Sequence, residues 1–181
     1  MTVTAEAKGF VYTPTARAFH WVTAILVLAM VPAGIMMVNI GPGKLQNTLF
    51  DFHRSTGVVL FVITAARLAW RLTHPPAPLS SSIPMWQRTA ARATHVLLYA
   101  VLLGSPVLGW VATSAYPAPI PVYGLFTLPP IIGPNRELST ALFNVHQVIG
   151  IVFSIAVVIH IAAALHHRIV LKDDVMNRMT G

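Results

Sequence analysis

The sequence predicts an all-α fold, a transmembrane four-helix up-down bundle with N- and C-termini cytoplasmic. Three observations lead there. Four apolar runs, at about 16–38, 49–71, 89–115 and 140–167, each reach the ~20 residues that a bilayer crossing needs. The 181 residues are 55% hydrophobic and 9% charged, whereas a soluble domain carries about 25% charged residues. The basic residues are also unevenly placed. Lys8, Arg17, Arg67, Arg71, Arg88, Arg92, Arg168, Lys172 and Arg178 fall at the termini or in the second connection, while Lys44, Arg54 and Arg136 fall on the other side. By the positive-inside rule this bias orients both termini to the cytoplasm. A formal charge of +7 so distributed marks topology, and no nucleic-acid partner is expected.

The first run is too long for a signal-peptide core and has no convincing cleavage site after it, so it reads as a retained span. A short connection, Asn39 to Thr48 with Gly41, Pro42 and Gly43, makes runs one and two antiparallel neighbours. The second connection, Thr73 to Gln87, holds Pro75, Pro76, Pro78 and Pro84 with Ser80 to Ser82, and reads as a flexible or extended linker. The third, Tyr116 to Ser139, is the longest. It combines prolines at 117, 119, 121, 129, 130 and 134 with Tyr123, Leu125, Phe126, Ile131 and Ile132. Such an apolar segment either caps the outer mouth of the bundle or rests among lipid headgroups. No repeat is visible, and residues 1–181 read as one integral-membrane domain.

The histidines fall at two depths. His146 and His160, 14 residues apart on the last run, are separated by about 21 Å at ~1.5 Å per residue and return to nearly the same helix face. With the chain direction alternating, His53 joins His146 in an outer layer, and His20 and His95 join His160 in an inner one. A histidine within a span must face the bundle interior and find a partner. Small residues follow four of them at the i+4 position: Ala24, Gly57, Gly150 and Ala164. Those positions leave room for a flat macrocycle, whereas Tyr99 after His95 would obstruct one. Gly and Ala also serve plain close packing of helices in membranes. The pattern predicts two non-covalent bis-histidine haem b sites, with iron ligands His53 and His146 outside and His20 and His160 inside. With no cysteine, c-type attachment, iron–sulfur clusters and disulfides are excluded, and no closed four-ligand zinc site can be completed.

The residues also resemble a known family. His20-Trp21, His53 to Gly57, Arg67-Leu-Ala-Trp-Arg71, Pro75-Pro76, His95 with Tyr99, Pro106 and Gly109-Trp110 are similar to motifs of the bacterial cytochrome b561 family. So are Tyr123 to Pro129, His146 to Gly150, and His160 to His167 with Lys172-Asp173. The resemblance runs from Thr13 to Met179. It implies a dihaem inner-membrane cytochrome with these four histidines as axial ligands. Gln147 departs from the pattern, since many members carry Glu there, which removes a carboxylate from the outer side.

Two stacked haems would pass single electrons across the membrane. At the inner end His95 and His167 remain after ligation, and a quinone being reduced takes up protons that histidine can donate. A ubiquinone site is expected there, with Lys172 or Arg92 nearby. The plainer reading of His166 and His167 is a wet helix end favourable to cations, and His74 reads as solvent-exposed. At the outer end the resemblance implies superoxide oxidase activity, in which periplasmic superoxide gives an electron that reaches ubiquinone. That chemistry asks for positive charge at an opening. Arg54, Arg136 and Lys44 are available, with Arg136 placed to overhang the outer haem. A snorkelling arginine is the simpler account of Arg54. The alternative is a membrane anchor that relays electrons between a periplasmic redox protein and the quinone pool. An apolar third connection over the outer mouth favours a small molecule. A haem sensor or a purely structural bundle would not need two haem layers.

Overall fold

A computed structural model describes residues 10–181, and Lys8 lies outside that range. Four helices, α1 (Pro14–Asn39), α2 (Lys44–Thr73), α3 (Met85–Ala115) and α4 (Arg136–His166), run up and down. All four are long and apolar enough to cross a membrane. Each begins before the run recognised in the sequence, while α3 ends at the expected residue and α4 one residue short of it, because hydropathy detects the stretch that suits lipid while the backbone decides where a helix starts and ends. Thr13 caps α1 by accepting from the Ala16 amide with Pro14 at the first turn, and Asn135 caps α4 by accepting from Leu138. The first connection is therefore only Ile40–Gly43, and Lys44 to Thr48, expected in a loop, are helical.

α1 packs mainly on α2 and α3 on α4, and the two hairpins touch each other more thinly through α2 and α3. Their shared core takes one buried residue from each helix: Val27, Leu60, Leu102 and Phe153. This cluster lies midway between the histidine levels. Val27 and Leu60 each stand seven residues beyond a histidine, and Phe153 is seven from both His146 and His160. Most other apolar side chains, such as Ile25, Leu28, Ile155 and Val158, point outward. That exposure is what lipid-facing helices require.

The third connection contains a small antiparallel hairpin, β1 (Ile120–Val122) with β2 (Phe126–Leu128), an addition to the all-helical plan that six prolines had obscured. Tyr123 and Gly124 both take positive φ, 50° and 74°, to turn the chain. Buried Ile120 and Val122 hold β1 against α2. The segment is fastened at several points, with Ser55 Oγ donating to Pro121 O at 2.5 Å and Thr56 Oγ1 2.5 Å from Tyr123 Oη. Trp110 Nε1 donates to Pro129 O, and Ser139 Oγ to Ala112 O. It thus covers one end of the bundle, and its exposed Leu125 and Phe126 face outward.

The opposite end carries both described termini. α4 passes into a π-helical turn, His167–Leu171, and a short helix α5 (Asn177–Thr180) follows. Buried Arg178 joins three segments: its guanidinium donates to Ala77 O and Pro78 O and lies over the Phe10 ring, and its carbonyl accepts from the Tyr12 amide. Arg17 also donates to Thr180 O.

Candidate haem sites

Each histidine pair expected from depth is brought together. Near the hairpin end, the rings of His53 on α2 and His146 on α4 stand 6.2 Å apart between centroids. Near the terminal end, His20 on α1 and His160 on α4 stand 6.4 Å apart. Imidazole nitrogens bind first-row metals at about 2.0–2.1 Å and the ring centre lies about 1.1 Å behind, so two rings trans across one metal have centroids about 6.3 Å apart. Both pairs match that separation. Among the described residues no three His, Asp or Glu side chains form a site for a bare ion. Paired rings of this spacing suit a metal that brings its own equatorial donors, as a porphyrin does.

Space around the rings is set by glycines on the neighbouring helices. A Cβ at Gly34 would stand 2.9 Å from His53 Cε1, and one at Gly109 would stand 3.4 Å from His146 Cε1. Gly34 carried no sequence signal, and Gly109 entered only within a family motif. Of the glycines that follow the histidines, Gly150 borders open space, while a Cβ at Gly57 would meet only Met30, at 3.7 Å.

Two further partners escaped the sequence reading. Ser105 Oγ lies 3.1 Å from His146 Nδ1, and Arg67 Nη2 lies 3.1 Å from His20 Nδ1. The second could have been found. Arg67 follows His53 by 14 residues, so α2 repeats the interval that places His160 after His146. His95 lies 5.4 Å from His160 between ring centres, closer than two trans ligands would stand. Tyr99, one turn beyond His95, lies beneath the Arg67 guanidinium at 5.4 Å, and its buried hydroxyl has no hydrogen-bond partner.

The remaining candidates are dispersed. Arg54 at the hairpin end is occupied, pairing with Asp51 at 2.9 Å and donating to Pro119 O, which ties α2 to the covering segment. Arg136 is exposed at the first turn of α4, beside an open cleft with Tyr116, Pro117 and Pro134, and Lys44 is exposed at the start of α2. At the terminal end His167 Nδ1 donates to Asp173 Oδ2 at 2.6 Å. The contacts therefore set His95 against His160 and His167 against Asp173. Exposed His74 stacks on Trp70 at 3.9 Å. Lys172, in a left-handed conformation with φ 52°, and Arg92 are exposed.

Residues 11–181 match the family described as prokaryotic cytochrome b561. The chain belongs to that family. It is 33% identical to "Cytochrome b561 homolog 2" of Escherichia coli (strain K12), over 99% of this chain and 94% of that one. "Cytochrome b561 homolog 1" of the same organism is 27% identical, over 88% and 91%. A Yersinia pestis protein named "Probable superoxide oxidase CybB" is 24% identical, over 88% and 90%. As a prokaryotic cytochrome b561 with four membrane-crossing helices, the chain is a multi-pass inner-membrane protein that binds haem b and transfers electrons.

Proposed function

We propose that this cytochrome b561 is a dihaem superoxide:ubiquinone oxidoreductase. The observation that carries the reading is the recurrence of ligand spacing, 6.2 Å and 6.4 Å, at two levels of one bundle. His53 and His146 hold one haem b and His20 and His160 the other, and when bound each takes up and releases single electrons. The bias of basic residues puts the terminal end in the cytoplasm and the hairpin end in the periplasm. Two superoxide anions each give one electron and leave as dioxygen, and one ubiquinone takes two electrons and two protons to become ubiquinol.

The chain's own groups serve each half. Exposed Arg136 and Lys44 raise the local concentration of a small anion at the hairpin end, and Arg54 adds charge while holding the covering segment. That segment covers the mouth, which favours a small molecule over a docked protein as the donor. At the terminal end His167, oriented by Asp173, and His95, beside His160, supply protons to a quinone headgroup. Exposed Lys172 and Arg92 are the cations assigned to that site in this reading. The Yersinia pestis relative's name supports the choice of donor.

Rapid mixing of the oxidised, detergent-purified protein with superoxide, followed by the haem spectrum, tests the proposal. Reduction well above the background rate is expected. Reduction at background, together with reduction by a periplasmic redox protein, would replace it with the role of electron relay and membrane anchor.

A further inference from the structure

The terminal end holds a cleft with positive charge and, among the described residues, no carboxylate lining it. Arg67 and Arg71 stand one turn apart on α2 and line this cleft with Tyr12, Trp70 and Tyr99. The whole sequence has five acidic residues. Of the described ones, Asp51 pairs with Arg54 and Asp173 with His167, and no carboxylate forms an ion pair with Arg67 or Arg71. A guanidinium inside a membrane bundle is costly unless an anion or a set of acceptors meets it.

The partner that Arg67 has is one it must give up. Arginine can only donate, so its contact with His20 Nδ1 requires that nitrogen to accept. When His20 presents Nε2 to iron, neutral imidazole keeps its hydrogen on Nδ1, and two donors then face each other. Arg67 must turn to another acceptor, and among the side chains lining the cleft there are only neutral ones, such as the Tyr12 hydroxyl and the buried Tyr99 hydroxyl, which has no partner. We infer that Arg67, with Arg71, receives a propionate carboxylate of the haem held by His20 and His160. This inference rests on the dihaem reading. It explains why α2, which gives no ligand at this level, places a cation there 14 residues after His53.

The test crosses protein with cofactor. Arg67→Gln and the wild type are refilled with natural haem b or with its dimethyl ester, and loss of haem to apomyoglobin is timed in phosphate-free detergent. With natural haem, the variant should lose one of its two haems about tenfold faster or more. With the ester, variant and wild type should lose that haem at similar rates. Equal effects with both haems would overturn the inference and leave the dihaem reading standing, whereas a wild type that binds one haem would defeat that reading itself. Arg71→Gln, measured in the same way, provides a second variant should Arg67→Gln fold poorly. Dependence of the effect on added phosphatidylglycerol vesicles would assign the cleft to a lipid phosphate and also overturn it.

Discussion

Ser105 Oγ on α3 and His146 Nδ1 on α4 are 3.1 Å apart, which joins the two helices of the second hairpin at the level of a proposed haem ligand. A hydroxyl here can accept the Nδ1 hydrogen and so leave Nε2 for iron. Partners of this kind hold the ligand ring and raise its basicity.

Replacing Ser105 with Ala should therefore weaken haem binding at the His53 and His146 site by roughly tenfold. The other haem should be unaffected. Haem release timed separately for the two spectral components distinguishes a local effect from general loosening of the bundle.

The division of labour among the three histidines at the terminal end leads to a contrast. His95→Phe should retain two haems per chain, whereas His160→Ala should retain one, as measured by pyridine haemochrome against protein concentration. Loss of a haem in the His95 variant would mean that His95, not His20, completes the inner pair.

Phe153 belongs to a layer built from all four helices, midway between the histidine levels. Truncation to Ala should cost about 3–5 kcal/mol, the range for a buried phenylalanine. Because Phe153 touches neither proposed ligand pair by position, both haems should still bind at low temperature. Thermal loss of helical signal, compared with haem content before heating, checks both parts.

The covering segment depends on its turn. Gly124→Ala places a side chain at φ 74° and should cost roughly 1–2 kcal/mol locally, and Tyr123→Phe removes a hydrogen bond worth about 1 kcal/mol. Either change should speed proteolytic nicking between 120 and 128. If the segment also restricts the hairpin-end opening, haem reduction by superoxide should become faster in both.

At the quinone end, His167→Ala should slow reoxidation of the haems by a soluble ubiquinone, and Asp173→Asn should slow it less, because the imidazole remains. Stopped-flow reoxidation measures this. Unchanged rates in both variants would reduce the pair to a fastening of the π-helical turn.

How much of the molecule could be read in advance follows from the range of each interaction. The bundle was open to reading because lipid imposes one requirement, a continuous apolar span, which is written locally in the chain. The histidine levels were open because rise per residue converts an interval of 14 into depth. The hairpin in the third connection was hidden, since its strands are three residues long, β1 holds Pro121 and prolines flank both strands, and β1 is stabilised by contacts with α2 that sequence periodicity does not encode.

The sequence by itself determined the four crossings, the absence of cysteine and the relative levels of His20, His53, His95, His146 and His160 within the spans, because all three depend on local composition and helical rise. Only the tertiary structure decided which groups meet across helices: Arg67 with His20, Ser105 with His146, and Gly34 against the His53 ring. Helix rotation and interhelical distance control those contacts, and both arise from packing side chains of distant segments together.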